Sequence, residues 1–333
     1  MGPVNIKAYV GAFGTPSEQV CIREEAKKEL KAGDVEVRMR LTPVNPSDLI
    51  PIYGRYAHRV TLPLVPGYEG VGVVERIGAG VGRAVIGKRV LPLRGGGTWQ
   101  SLVHAPAALA VPVPENVSDE TAAQMYINPV TAYVLLTEKL KIFSGGVLVI
   151  NAANSVMGRL LIQLASRMNI RVVGLVRRKA VINELMQLGA EKIIAAGEGE
   201  EERRLTEGMQ GEKAEAAVDM IGGEAGTALA RTVKPDKTLL ALGLLSGKPL
   251  DWPYITETLG VKGAMFHLRH WNASVSDARF QQVFQTLFQM VESGQIVVPH
   301  ARHTYPLVQV RQALQDYESE RFSGGGKIML ARP

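Results

Sequence analysis

The stretch Val147-Leu148-Val149-Ile150-Asn151-Ala152-Ala153-Asn154-Ser155-Val156-Met157-Gly158 decides the fold. Four consecutive apolar residues, Val147–Ile150, suit a strand buried on both faces. A turn of small residues follows, and Val156–Met168 then carries apolar side chains at helical spacing. A dinucleotide fingerprint places Gly at 153, 155 and 158; here Ala153, Ser155 and Gly158 make it small-x-small-x-x-Gly. Small residues let a pyrophosphate approach the amides of the helix start, where the dipole favours anions. Taken alone, the pattern fits an ordinary strand-to-helix turn equally well.

Downstream, the alternation continues. Arg171–Val176 reads as a strand, Ala180–Leu188 as a helix ended by Gly189, Lys192–Ala195 as a strand and Glu200–Met209 as a helix. Ala216–Ile221 and Thr238–Leu242 are two more apolar strands, and Val261–Phe266 is the expected last one. Strands alternating with helices predict an α/β fold, a Rossmann-type doubly wound parallel sheet. Its second strand ends in Arg177-Arg178-Lys179, where an NAD site usually has an acidic residue. Three cations beside a helix start oppose its dipole unless an anion lies there. A 2′-phosphate supplies that anion, so NADPH is the expected cofactor.

Upstream, Val4 to about Ala110 is β in style, with alternating runs Val35–Leu41, Gly70–Ile77 and Arg89–Leu93 between Gly and Pro turns. Pro-rich Ala105–Pro114 reads as a connector, and Ser118–Leu140 as one helix with Ser118 as N-cap. Asp277–Val291 is helical, and the remaining C-terminal segment is expected to return to the first domain. The division expected is 1–122 with 268–333 for a β-rich domain, and 123–267 for the cofactor domain.

At 333 residues, 46% hydrophobic and 21% charged, the chain fits a soluble globular protein of two domains. No apolar run is long enough for a bilayer, and Met1–Val10 lacks signal or transit character, so the expectation is a cytoplasmic protein without a membrane partner. A single cysteine, Cys21, excludes an intramolecular disulfide and a Cys-rich metal cluster. The net charge of +6 is dispersed with few aromatics nearby, and no nucleic-acid partner is expected. The six histidines show no metal-ligand spacing with acidic partners, so no metal is expected.

The chain resembles the zinc-free branch of the medium-chain dehydrogenases/reductases. Val44-Asn45-Pro46-Ser47-Asp48 and Pro66-Gly67-Tyr68-Glu69-Gly70 are similar to that branch; zinc alcohol dehydrogenases carry Cys near Ser47 and His at the Tyr68 position. Gly97-Thr98-Trp99, Asn128-Pro129-Val130-Thr131-Ala132-Tyr133, Asn151–Gly158, Phe266-His267-Leu268-Arg269-His270-Trp271 and Ser323–Leu330 resemble the mitochondrial-type 2-enoyl thioester reductases, near the quinone oxidoreductases. The resemblance implies a GroES-like catalytic domain beside the Rossmann domain. It also implies Tyr56 as proton donor, with Asn128, Asn154, Ser155, Val156 and Met157 contacting the cofactor. Arg177, Arg178 and Lys179 correspond to the 2′-phosphate clamp. Leu242, Gly243, Leu244 and Leu245, together with Phe266, His267 and Leu268, flank the nicotinamide, and Lys327 is a further cofactor contact. Asn45, Phe266 and Trp271 are expected at the substrate pocket.

The implied reaction is NADPH-dependent reduction of the C=C bond of an acyl thioester carried by coenzyme A or acyl carrier protein. A homodimer paired through Val261–Phe266 is also implied. Two departures stand out: Val156 replaces a Gly of the fingerprint loop and could crowd the pyrophosphate or restrict φ, and His267 replaces a bulky aromatic. Two competing readings remain: a quinone or alkenal/enone reductase on the same fold, and a catalytically silent NADPH sensor or RNA-binding scaffold.

Overall fold

The structure is a computed structural model that describes residues 4–320 and 326–332. It divides into two compact units: Met1–Ile127 with Val275–Gly294 and Val298–Pro333, and Asn128–Ser274 with Gln295–Val297.

The second unit is built on six parallel strands: β1 (Val147–Ile150), β2 (Arg171–Val176), β3 (Lys192–Ala195), β4 (Ala214–Asp219), β5 (Val233–Ala241) and β6 (Lys262–Met265). They lie in the order β3-β2-β1-β4-β5-β6. The order reverses between β1 and β4, and the carboxyl ends of those strands open the crevice where such sheets bind ligands. All four residues of β1 are buried, as their unbroken apolar run requires. Val147 and Val149 share one hydrophobic core with Val173, Leu175, Ala217, Leu229 and Leu239.

The first unit contains a seven-stranded sheet. Its main path runs Ala301–Pro306, Lys327–Ala331, Asp34–Pro43, Val71–Ile77, Arg89–Pro92 and Ala110–Pro112, with Leu102–Pro106 paired to Asp34–Pro43. Val4–Val10 and Val20–Ala26 form a separate antiparallel pair. The helix Asp277–Glu292 joins this unit through Phe280 and Phe284, whose rings lie 6.5 and 6.1 Å from that of Tyr126.

Two sequence expectations need correcting. Ala105–Pro114 is not a connector: it supplies strand residues of the seven-stranded sheet, with Pro106 and Pro112 at strand ends where a missing N–H is tolerated. Nor is Ser118–Leu140 one helix. Ser118 does cap a short helix, Asp119–Ala122, accepting the Thr121 amide at 3.1 Å. A new helix, Ile127–Val134, then starts with Pro129 in its first turn, the one place a helix accepts proline without loss. Val156 opens the helix Val156–Arg167 with right-handed backbone, so its φ does not call for a glycine.

Candidate active site

In the second unit, the turn after β1 is held by the residues that make it tight. Ala152 adopts φ +45°, a left-handed conformation that L-residues enter at a cost of order 1 kcal/mol. A Cβ on Gly158 would lie 2.5 Å from the Ala153 carbonyl oxygen and 2.7 Å from its Cα, so only glycine lets the helix start this close to the turn. Ser155 caps the helix, its Oγ accepting the Gly158 amide at 3.1 Å. The amides of Val156 and Met157 belong to the same first turn, where no intrahelical acceptor exists. The sequence pattern therefore builds a capped, close-packed helix start although two of its three glycines are replaced.

The carboxyl ends of β1 and β4 are latched together by two fully buried residues. Asn151 Nδ2 donates to Asp219 Oδ1 at 2.5 Å, and Asn151 Oδ1 accepts the Met220 amide at 2.7 Å. Asp219 in turn accepts the Ile221 and Gly222 amides at 3.0–3.1 Å. This latch shapes the floor of the crevice, and it was not foreseen from sequence. A second unforeseen residue is Arg159, which donates to Asn154 Oδ1 at 2.6 Å and to both Glu184 oxygens at 2.5 and 2.8 Å. The bond from Arg159 holds the Glu184 carboxyl below its usual range.

Arg177, Arg178 and Lys179 are all exposed at the end of β2. Leu242 and Gly243 are half-buried, whereas Leu244 and Leu245 are 40% and 44% exposed; the Leu242 amide donates to the Asp219 carbonyl. Phe266 is buried and follows β6, its amide donating to the Ala241 carbonyl at 2.9 Å. His267 stands edge-on to His270 at 5.4 Å, and Leu268 begins a short helix. Trp271 is buried in that helix and its Nε1 donates to Glu138 at 2.9 Å. Asn128 is half-buried in the first turn of its helix.

In the first unit, Asn45, Asp48, Glu69 and Lys327 form a buried polar cluster. Lys327 reaches it because its strand pairs antiparallel with Asp34–Pro43 and the Val44 amide donates to the Ile328 carbonyl. The Lys327 ammonium donates to Asn45 Oδ1 and to Glu69 Oε1, the latter at 3.2 Å. Asn45 Nδ2 donates to the same Glu69 oxygen at 2.9 Å. The other oxygen, Oε2, accepts the Tyr126 and Ile127 amides at 3.1 and 2.7 Å. Glu69 thus takes up amides at the start of the Ile127–Val134 helix that would otherwise be unpartnered. Ser323 to Gly325, which share the tail resemblance, lie outside the described residues.

Asp48 accepts the Asn45 amide at 2.8 Å and the Tyr68 amide at 3.1 Å. Burial pushes its carboxyl up to about 7, the two amide bonds and Lys327 opposing the rise and Glu69 adding to it. Tyr56 is half-buried in a run of turns, Ile50–Arg59, with the Arg59 guanidinium 3.6 Å from its ring centroid. Among the described residues, no group of three or more His, Cys, Asp or Glu side chains could hold a metal ion.

Residues 31–115 match the alcohol dehydrogenase GroES-like domain, and residues 188–330 match the zinc-binding dehydrogenase domain. The mitochondrial enoyl-[acyl-carrier-protein] reductase of Mus musculus is 30% identical over 326 residues, covering 94% of this chain and 86% of its own length. This chain belongs to the medium-chain dehydrogenase/reductase superfamily. Among solved structures of that superfamily, a Bacillus thuringiensis protein provisionally described as an NADPH:quinone reductase is 42% identical. It superposes with a TM-score of 0.94, covering 100% of both chains. An Etr1p complex with NADP and crotonyl-CoA is 20% identical, with a TM-score of 0.84 over 99% of this chain and 100% of that one. At that identity it shows the shared fold alone. The medium-chain dehydrogenase/reductase fold accounts for both the GroES-like and the Rossmann halves described above.

Proposed function

We propose that the protein is an NADPH-dependent, zinc-free reductase of the C=C bond of 2-enoyl thioesters. The observation that carries this reading is the phenol of Tyr56, half-buried and stacked against Arg59, in a chain whose curated relatives are named enoyl-[acyl-carrier-protein] reductases. When bound, the reduced nicotinamide supplies hydride to Cβ of the enoyl group. Negative charge then builds on the thioester oxygen, and Cα needs a proton. A neutral phenol carries a transferable proton at pH 7, and Tyr56 fills that role.

The second unit fits the nucleotide by the chemistry of its donors. Ser155, Val156 and Met157 present the helix start to the pyrophosphate, and Arg177, Arg178 and Lys179 offer cations to the 2′-phosphate. Asn128, Asn154, Leu242–Leu245 and Phe266–Leu268 complete the nucleotide contacts in this reading, with Phe266 and Trp271 at the acyl end.

A catalytic zinc does not fit the residues of the first unit. Ser47 and Tyr68 stand where zinc relatives place Cys and His, and the ammonium of Lys327 already occupies a position beside the Glu69 carboxylate. The proposed reductase works as a homodimer in the cytoplasm. None of its helices is long and apolar enough to cross a membrane among the described residues.

The resemblance to the Bacillus thuringiensis protein favours a second reading, reduction of quinones with the same cofactor. NADPH oxidation measured with crotonyl-CoA, longer enoyl-CoAs, quinones and 2-alkenals separates the two. Turnover of the thioesters is expected; comparable rates with quinones and none with thioesters would overturn the first reading.

A further inference from the structure

Tyr56 sits in a segment with no helix or strand to fix it. Ile50 to Arg59 is a succession of turns, in which the Ala57 amide donates to the Gly54 carbonyl and the Arg59 and Val60 amides donate to the Tyr56 carbonyl at 2.9 and 3.0 Å. The turn that closes on Tyr56 folds Arg59 back over it, bringing the guanidinium within 3.6 Å of the ring centroid. His58 approaches the same ring edge-on at 6.4 Å. We propose that Arg59 is a positioning residue for Tyr56: its planar cation, stacked on the ring, fixes the phenol within the turn.

A face-on guanidinium is attracted by the ring quadrupole, and a planar fork covers the ring in a way that an ammonium cannot. Tyr68 shows that the guanidinium acts on its surroundings. Burial, Asp48 and Tyr56 raise the Tyr68 hydroxyl, and Arg59 is the one group that pulls it back down. The groups facing this corner are therefore Arg59 and His58 on the turn itself, Tyr68 and Asp48 from the adjoining segments, and Glu69 and Lys327 behind Asp48.

This inference rests on the enoyl reductase reading, and its test separates the two. For wild type, Arg59→Gln and Arg59→Lys, kcat and KM are measured with NADPH and crotonyl-CoA, each protein checked for fold by NADPH titration. Arg23→Ala is the control, because Arg23 stacks on the Tyr9 ring at 3.5 Å on the separate antiparallel pair. In Arg59→Gln, kcat is expected to fall about three- to tenfold, the scale of one cation–π contact, with NADPH affinity retained. The KM for crotonyl-CoA is expected to stay within about twofold of wild type, because the loss falls on the placed phenol and not on substrate binding. Arg59→Lys is expected to restore only part of the rate, and Arg23→Ala to match wild type. An Arg59→Gln enzyme with wild-type kcat would overturn the proposal. A lower kcat accompanied by an equal rise in KM and a loss of NADPH affinity would also overturn it, since that is merely a looser fold. Wild type inert on crotonyl-CoA would sink the underlying reading instead.

Discussion

Lys327 and Glu69, 258 residues apart in the chain, meet at 3.2 Å with both side chains buried. Neither charge stands alone, because Asn45 bridges them and two backbone amides cover the second Glu69 oxygen. Such a pair adds little over a packed apolar pair, yet removing one member leaves the other charged and dry. The cluster thereby ties the loop after Pro43, the segment at Glu69 and the C-terminal strand into one arrangement.

Glu69→Gln and Lys327→Met are each expected to destabilise the protein by about 3–5 kcal/mol, as breaking a buried pair does. The double variant is expected to lose less than the sum of the two. Urea unfolding of all four proteins, analysed as a double-mutant cycle, measures the coupling; strict additivity would show that the pair does not interact.

Asp48 ties stability to pH. Its folded-state carboxyl lies at about 7, above the ordinary carboxylate range. The folded protein therefore binds more protons than the unfolded chain between about pH 4 and pH 7. The contribution is fully present below the unfolded value and is lost as pH rises through 7, with a slope of at most about 1.4 kcal/mol per pH unit. In Asp48→Asn this slope is expected to flatten, which denaturant midpoints taken across that range would register.

Gly158→Ala is expected to cost about 1–3 kcal/mol, because the new methyl group meets backbone rather than a movable side chain. The helix start must shift from the turn, so NADPH affinity is expected to fall together with the thermal midpoint. A variant with undiminished affinity would show that the close approach does not shape the nucleotide site.

Replacing Arg177 and Arg178 by Ala is expected to weaken NADPH far more than NADH. Each charge-assisted bond to a phosphate contributes about 1.5–3 kcal/mol, roughly 10- to 100-fold in affinity. Titration with both cofactors reads the selectivity directly. Equal losses for the two would place the 2′-phosphate elsewhere.

The parallel sheet was legible in the sequence because its central strands β1, β2 and β4 are buried on both faces, which writes them as apolar runs such as Val147–Ile150. The turn between β1 and the helix Val156–Arg167 was legible despite Ala153 and Ser155, because its close packing falls on Gly158, where the glycine is kept. Other features were hidden for physical reasons. Pro129 looks compatible with one long helix because proline fits a first turn, and nothing local announces that the turn begins at Ile127. The Glu69 cluster draws partners from positions 45, 126, 127 and 327, so no window of sequence contains it. The Asn151–Asp219 latch is likewise a product of strand order, which places β1 beside β4 across 68 residues.

Product analysis with deuterium-labelled NADPH tests the central claim most directly. Crotonyl-CoA should be converted to butyryl-CoA bearing the cofactor's deuterium at Cβ and a solvent hydrogen at Cα, with the Tyr56→Phe enzyme slowed about 100-fold or more while still binding NADPH. Recovery of unchanged crotonyl-CoA from wild type, under conditions in which it oxidises NADPH with a quinone, would contradict it.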